Sequence, residues 1–209
     1  MEVNVGLFDK FKKKNLKNEI PIEKIENNIS EEEKKELIRT LPKFEYHPNI
    51  YTNDIIKFKN GVCDCCGKEV KAYIENIYCE QNVDCICLNC VSNGTAAEKF
   101  DGQFIQDAQE ISNSEKKEIL FNRTPGYSTW QGEYWLACCD DYCEFIGDVG
   151  EKELNELGIA DEVINEYFEN FQLEEPDFLK ENLTAKGSVA GYLFRCKHCK
   201  KYHLYVDMD

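Results

Sequence analysis

The stretch Cys63-Asp64-Cys65-Cys66-Gly67, followed by Cys87-Leu88-Asn89-Cys90, decides the fold of this chain. Two residues separate Cys63 from Cys66 and Cys87 from Cys90, a spacing that lets both sulfurs of a pair face one point. Two such pairs complete a tetrahedral site. Gly67 follows the first pair directly, and glycine tolerates the left-handed backbone that a sharp turn requires. The spacing therefore predicts a metal site formed by Cys63, Cys66, Cys87 and Cys90.

A second metal site is predicted from cysteines farther along the chain. Cys139 and Cys143 form a looser pair with three residues between them, and Cys196 and Cys199 repeat the two-residue spacing. The two pairs are far apart in sequence, so only the tertiary structure can bring them together. We therefore predict Cys139, Cys143, Cys196 and Cys199 as the second ligand set, with Cys138 as the alternative to Cys139.

Zinc is the expected metal, at two ions per chain, because four thiolates in a tetrahedron are its common structural ligand set. Rubredoxin-type iron or an iron–sulfur cluster uses the same ligands, and spacing does not distinguish these metals. Both predicted sites are closed by four sulfurs, whereas a catalytic zinc keeps a position open for water, which favours a non-enzymatic role. The other four cysteines are interpreted as small buried apolar residues, with a redox-responsive set as the alternative: Cys65, Cys79, Cys85 and Cys138.

The composition is typical of a folded protein that keeps its cysteines reduced. The 209 residues are 42% hydrophobic and 12% aromatic, enough to bury a core. No apolar run approaches the roughly 18 residues that would span a bilayer, and no N-terminal segment resembles a secretory signal. We therefore expect a cytoplasmic protein without stable membrane insertion, in which the cysteines bind metal and do not form disulfides.

The negative charge is concentrated in the C-terminal half. The formal net charge is −15, and residues 140–181 contain fifteen acidic side chains against two lysines. Such a surface repels phosphate backbones, which argues against nucleic-acid binding despite the metal-site spacing. It suits a basic protein partner. The alternative is a solvated acidic helix face that keeps the protein soluble.

The order of predicted elements indicates an α+β fold. Residues 1–40 are predicted to form an appendage, a basic amphipathic segment and then a short helix that begins at the capping box Ser30–Glu33. Residues 41–209 are predicted to form a cysteine-rich, metal-binding domain. In it, strands flank the Cys196–Cys199 pair as in a zinc ribbon, and acidic helices cover 151–157 and 161–171. The fold class expected is α+β, with zinc-ribbon-type β-hairpins, packed helices and stabilisation by metal.

His47 and the two tryptophans are further candidates for a functional role. His47 is the only histidine outside the last cysteine pair and its flanking strands, but nothing in the local sequence marks it as the partner of a nucleophile. Both tryptophans, Trp130 and Trp135, lie in one short stretch. They could line a pocket with Arg123, Tyr127 and Gln131, or form an aromatic core.

Five motifs in this order resemble the bacterial CbrC family, which is linked to colicin tolerance. The resemblance covers roughly residues 41–209, and the motifs are Pro42-x-Phe44-x-Tyr46-His47-Pro48, Cys63-x-Cys65-Cys66-Gly67, Asn93-Gly94-Thr95-Ala96-Ala97-x-x-Phe100-Asp101-Gly102, Arg123-Thr124-Pro125-Gly126-Tyr127-x-x-Trp130-Gln131 and Cys139-Asp140-x-x-Cys143-x-Phe145-x-Gly147.

This resemblance implies a small cytoplasmic protein with a toxin-tolerance or immunity-like role, and it brings no established reaction. Two departures stand out: the family usually has Pro-Trp where this chain has Leu88-Asn89, and a histidine commonly occupies the place of Cys138. The first hypothesis is therefore a zinc-stabilised protein that binds a partner through its acidic surface. The second is a thiol-based redox sensor or an enzyme that uses the pocket around Trp130.

Overall fold

The structure is a computed structural model that describes residues 29–171 and 176–208. The basic amphipathic segment predicted before Ser30 falls almost entirely outside the described residues. Helices and strands alternate irregularly along the chain, with small sheets, so the α+β prediction is confirmed at the level of a mixed fold. Among the helices described, none combines the length and apolar character that a bilayer crossing requires.

The helices are short, and most lie in the second half of the chain. They are α1 (Glu31–Ile38), α2 (Leu88–Ser92), α3 (Thr95–Phe100), α4 (Ser114–Arg123), α5 (Glu151–Glu156), α6 (Ala160–Phe171) and α7 (Pro176–Asn182). A 3-10 turn covers Ile50–Thr52. The first helix begins as predicted, because the Ser30 hydroxyl accepts a hydrogen bond from the backbone N–H of Glu33.

Most strands are two residues long and pair into small ladders. They are β1 (Gly61–Val62), β2 (Glu69–Val70), β3 (Tyr73–Ile74), β4 (Ile86–Cys87), β5 (Asp107–Ala108), β6 (Tyr134–Trp135), β7 (Ala137–Cys138), β8 (Asp141–Tyr142), β9 (Glu144–Val149), β10 (Val189–Arg195) and β11 (Tyr202–Met208). The ladders β1–β2, β3–β4 and β7–β8 are antiparallel, whereas β5–β6 is parallel.

The largest sheet is antiparallel, in the order β11-β10-β9. The hairpin β10–β11 carries the last cysteine pair at its tip, as the sequence predicts. Both faces of the sheet are covered. Phe194 and Tyr192 face an aromatic core in which Tyr127 stacks on Phe145 with ring centroids 4.4 Å apart.

The opposite face of the sheet carries Leu193, Leu204 and Val206, against which the acidic helices α5, α6 and α7 pack. A separate core lies around the first cysteine pairs and includes three of the cysteines themselves: Cys63, Cys87 and Cys90. The two regions thus have different interiors, one rich in sulfur and aliphatic side chains, the other aromatic.

Candidate metal centres

The first predicted site is assembled as the sequence indicates. Cys63, Cys66, Cys87 and Cys90 bring their sulfurs within 4.8 Å of one another, and three of the four residues are buried. The Sγ atoms of Cys66 and Cys87 are 3.9 Å apart. Because a metal–sulfur bond of about 2.3 Å places the corners of a tetrahedron about 3.8 Å apart, this spacing matches four thiolates around one zinc ion.

The first half of this site is a tight turn. The N–H of Gly67 donates to the carbonyl of Cys63 (2.7 Å), and the N–H of Cys63 donates to the carbonyl of Lys68 (2.9 Å). Gly67 has φ 72°, a left-handed conformation that glycine adopts without a Cβ clash. The second half is the junction at which β4 ends and α2 begins, with Cys87 in the N-cap position of the helix.

Asp64 and Lys99 join the two halves of the first site. The Asp64 carboxylate accepts hydrogen bonds from the N–H groups of Asp84 (3.0 Å) and Cys85 (2.9 Å), on the segment that leads into Cys87. The Lys99 ammonium donates to the carbonyls of Asp64 and Cys65, both at 2.7 Å. These bonds fix the turn against the strand that carries the other cysteines.

The second site forms with one different ligand from the set predicted. Cys138, Cys139, Cys196 and Cys199 have their sulfurs within 4.8 Å of one another. The Sγ atom of Cys138 lies 3.7 Å from that of Cys139 and 3.7 Å from that of Cys199, again close to the edge of a thiolate tetrahedron. The sequence offered Cys138 only as a substitute for Cys139, whereas the structure brings both into the cluster.

The hairpin turn explains how adjacent cysteines reach the same point. Strands β7 and β8 pair Cys138 with Asp141, leaving Cys139 and Asp140 as a two-residue loop. Both loop residues have positive φ, 57° and 54°, as in a type I′ turn. The turn reverses the chain at Cys139, so its sulfur points back beside that of Cys138.

The structure does not bring Cys143, one of the predicted ligands, into the second four-sulfur group. Its side chain is fully buried in the aromatic core, and its carbonyl accepts a hydrogen bond of 2.9 Å from the indole N–H of Trp135. Cys143 lies where the chain passes from β8 to β9, and its side chain belongs to the aromatic core and not to the four-sulfur group.

The Cys196–Cys199 turn repeats the backbone pattern of the first site. The N–H of Lys200 donates to the carbonyl of Cys196 (3.2 Å), and the N–H of Cys196 donates to that of Lys201 (2.8 Å). Lys200, with φ 66°, takes the place that Gly67 holds in the first turn. Lys200 therefore adopts the same left-handed conformation as Gly67, although its Cβ makes that conformation less favourable than it is for glycine.

Asp141 connects the hairpin to this turn, and sequence analysis missed it. Only 2% of the residue is exposed, yet its Oδ2 lies 2.8 Å from Nε2 of His198, 3.1 Å from the Lys197 ammonium and 3.2 Å from that of Lys116. Its Oδ1 accepts a hydrogen bond from the Tyr46 hydroxyl (2.9 Å). Burial opposes its ionisation, but these donors outweigh burial and hold the Asp141 pKa well below its usual range.

The same hairpin is bound to the start of α4 through Ser112. The cap of α4 is Asn113, whose side chain accepts hydrogen bonds from the N–H groups of Glu115 and Lys116. Ser112 instead donates its N–H (2.8 Å) and its hydroxyl (2.6 Å) to the Asp140 carboxylate in the turn. The start of α4 therefore holds the loop that carries Cys139.

One thiol in each cluster ionises more readily than an ordinary cysteine. A hydrogen bond from the backbone of Lys68 lowers the pKa of Cys66 to about 7. Burial opposes ionisation of Cys196, but hydrogen bonds from the N–H groups of Cys199 and His198 lower its pKa to about 6. In the first cluster, burial raises the pKa of Cys87 to about 11. Metal binding would remove the protons of all these thiols.

The spare cysteines lie mostly beside the first cluster. Cys65 is part-exposed, with its Sγ 3.8 Å from the Thr95 hydroxyl. Cys85 is buried, and burial raises its thiol pKa to about 11. Cys79 contacts the carbonyl of Gln81. Cys138 is the one spare cysteine that joins a four-sulfur group.

His47 has a structural environment. Its Nδ1–H donates to the carbonyl of Pro125 (3.0 Å), and its Nε2 accepts from the side-chain amide of Asn53 (2.8 Å). The ring is fully buried, edge-on to Phe145. Burial lowers the His47 pKa to about 4, so the imidazole is neutral at pH 7, with both nitrogens occupied.

The predicted tryptophan pocket is divided by the fold. Trp135 is wholly buried in the aromatic core, whereas Trp130 and Tyr127 line a surface cleft. Arg123 pairs with Glu118 elsewhere, at 2.9 Å. Gln131 donates its side-chain amide to the carbonyl of Met208. The pocket alternative therefore applies to Trp130, and the aromatic-core alternative applies to Trp135.

Comparisons with known proteins agree on one family. The family model described as an uncharacterised protein family, UPF0167, matches residues 41–208. A UPF0167 protein of Pseudomonas aeruginosa is 33% identical over 175 residues, covering 80% of this chain and 97% of the relative. UPF0167 proteins of Mycobacterium bovis and Mycobacterium tuberculosis are each 29% identical over 175 residues, covering 80% of this chain and 93% of theirs. No solved structure matches. The chain therefore belongs to the uncharacterised protein family UPF0167.

Proposed function

We propose that this chain is a structural-zinc protein with two sites, each closed by four thiolates in zinc-ribbon-type turns. The observation that carries this proposal is the sulfur spacing in both clusters, which fits a tetrahedron around one ion. Backbone N–H groups already point at the sulfurs: that of Cys87 at Cys63 Sγ (3.2 Å) and that of Cys199 at Cys196 Sγ (3.4 Å). Such bonds stabilise thiolates. Zinc in these positions would cross-link two cysteine-bearing turns in each cluster.

Metal analysis of the full chain, purified without added metal, tests this proposal. We expect two zinc ions per chain and unfolding of the region around Cys63–Cys90 when a strong chelator removes them. Retention of the fold after complete zinc removal would contradict a structural role. Iron with visible absorbance would contradict the choice of zinc.

The partner proposal rests on the layer of α5, α6 and α7. Exposed carboxylates cover this layer, and the two lysines of these helices are already near acidic neighbours: Lys180 is 2.7 Å from Asp161 and Lys152 3.9 Å from Glu156. Leu157 and Phe178 are exposed among these charges. Apolar side chains surrounded by charge are common in protein interfaces, and an acidic surface selects and accelerates the approach of a basic partner.

We therefore propose a cytoplasmic protein that binds a basic protein domain. The CbrC resemblance supports a toxin-tolerance role, with a basic colicin-type toxin domain as the partner. All twelve cysteines are free, which fits a reducing compartment.

A purified basic nuclease domain of the colicin type is the probe for this interface. We expect binding whose association rate falls steeply with salt. Joint replacement of Glu156, Glu162, Glu169 and Glu181 by glutamine should lower that rate, whereas neutralising the same number of acidic residues in α1 and around the first cluster should not. Equal association rates for the two variants would contradict the proposed surface.

A second candidate, a thiol-based sensor, rests on Cys65. This part-exposed thiol lies beside the first cluster, where it could pair with a ligand after oxidative loss of the metal. Mass spectrometry of the zinc-loaded chain after mild peroxide treatment tests this candidate. A disulfide that contains Cys65 and is absent from Cys65→Ser would support it, and a Cys65 that stays reduced while zinc is released would contradict it.

A further inference from the structure

A cleft of about 240 Å³ lies between the Tyr127–Trp130 segment and the main sheet, away from both cysteine clusters. It is smaller than the pockets of about 300–1,000 Å³ that hold drug-sized ligands, so its size suits a ligand of a few carbon atoms. Its walls are largely aromatic, and it has three charged side chains. The aromatic residues are Tyr127, Trp130, Phe145 and Tyr192, and the charged residues are Asp54, Asp148 and Lys186.

Trp130 is exposed and yet held in one position. The residue is 57% exposed. Its backbone N–H and that of Gln131 donate to Oδ2 of the buried Asp207, at 2.8 and 3.0 Å, and its indole N–H donates to the carbonyl of Gly187 at 3.0 Å. Because these hydrogen bonds already order the Trp130 ring in the folded protein, a ligand that stacks on it would lose little side-chain entropy on binding.

Asp148 is the charged group available to a ligand. It is half-buried on β9, and within the described part of the chain no hydrogen bond or ion pair reaches its carboxylate. Lys186, the one cation among the described residues that line the cleft, lies 2.7 Å from Asp54. Two carboxylates face one ammonium, so the cleft carries net negative charge and disfavours anions.

We propose that this cleft binds a small organic cation, with its charged group between the indole of Trp130 and the carboxylate of Asp148. An ammonium over a tryptophan face is attracted by the π-system. The alkyl carbons of such a cation would contact the other aromatic walls, while Asp148 neutralises the charge. A neutral ligand of the same shape would gain the apolar contacts alone, so charge should decide the affinity.

Choline and its neutral isostere 3,3-dimethylbutan-1-ol are the probes, titrated against the full zinc-loaded chain. Trp130 fluorescence and calorimetry report binding, because the other tryptophan is buried. We expect choline to bind at least roughly tenfold more tightly than the isostere, since only choline can make both charge interactions. Equal affinities, or no binding of choline at millimolar concentration, would overturn the proposal.

Four variants locate the site, each checked for its zinc content and thermal unfolding. Asp148→Asn should weaken choline binding roughly tenfold, and Trp130→Ala roughly fivefold to thirtyfold by calorimetry. Glu98→Gln removes the same charge from the exposed face of α3 and should leave the affinity unchanged. An affinity that Asp148→Asn does not alter, or that Glu98→Gln lowers as much, would overturn the assignment. Trp130→Phe, which keeps an aromatic face, should retain part of the affinity and so guards against a folding defect in Trp130→Ala.

Discussion

The two cysteine clusters have the same sulfur geometry but are built in different ways. The first takes its ligands from residues 63–90, and three of the four are buried. The second joins the β7–β8 turn to the distant Cys196–Cys199 turn, and only Cys196 is buried. Local spacing is therefore enough to specify the first cluster, whereas the second depends on the pairing of β9 with β10, which brings the two turns together.

The aspartates that brace the two clusters, Asp64 and Asp141, differ in the charge of the groups around them. Among the described residues, the Asp64 carboxylate accepts hydrogen bonds only from backbone N–H groups, which are neutral. Asp141 faces Lys116, Lys197 and His198 while almost fully buried. The first cluster is held mainly by the core in which its cysteines pack, and the second by concentrated charge.

Loss of a ligand should affect the first cluster most. We expect Cys90→Ser to release one zinc and to lower the free energy of unfolding by several kcal/mol, because binding of a structural zinc contributes on the order of 10 kcal/mol and Cys90 belongs to the surrounding core. Cys199→Ser should also release one zinc, but it should lower the free energy of unfolding by less. Of the second cluster, only Cys138 and Cys196 belong to the neighbouring aromatic core. Urea unfolding and zinc content measure both.

Cys65→Ser is the matched control for this comparison, since it changes a neighbouring cysteine outside the four-sulfur group. It should retain two zinc ions and near-normal stability. The contrast between the clusters fails if Cys199→Ser destabilises the chain as much as Cys90→Ser.

Neutralising the two bracing aspartates should have unequal effects. Asp141→Asn removes the charge that faces three cationic or donor groups, so zinc affinity at the second site should fall about 10-fold to 100-fold, as for other groups that orient metal ligands. Asp64→Asn keeps an oxygen that can accept both N–H bonds, so the first site should weaken by less than about fivefold. Competition with a zinc-binding dye reports both affinities. A larger effect from Asp64→Asn would reverse the proposed roles.

The smallest effects should come from Gly67 and Lys200, each of which directly follows the second cysteine of a C-x2-C pair. Gly67→Ala should lower the free energy of unfolding by about 1 kcal/mol, because a Cβ there meets no atom within 4 Å and only the left-handed backbone is penalised. Lys200→Gly should raise it by less than about 1 kcal/mol, because relief of the same strain is partly offset by the flexibility of unfolded glycine. Thermal unfolding of the zinc-loaded variants measures both.

Gly158→Ala is the control for the glycine effect, with φ 71° and equally open space after α5. It should cost a similar amount without altering zinc affinity. If Lys200→Gly destabilises the chain, the two turns are not equivalent.

The features that the sequence anticipates are those that local sequence encodes. The grouping of Cys63, Cys66, Cys87 and Cys90 follows from their spacing, and the β10–β11 hairpin from the aromatic and aliphatic residues on either side of its cysteine tip. Cys143 was predicted as a ligand because three intervening residues are compatible with a metal turn, and nothing local shows that its side chain belongs to the aromatic core. Cys139-Asp140 lacks the Asn-Gly signal of a type I′ turn, so the role of the adjacent Cys138 was visible only in the fold. Asp141 was equally hidden, because its partners come from three distant segments.

The central claim is that two four-thiolate zinc sites exist and that Cys138, and not Cys143, completes the second. Zinc content of Cys138→Ala and Cys143→Ala, measured beside the unaltered chain, tests it most directly. We predict two zinc ions in the unaltered chain, one in Cys138→Ala, and two in Cys143→Ala, which should show only the modest destabilisation of a small cavity. Two ions in Cys138→Ala with one in Cys143→Ala would contradict the account.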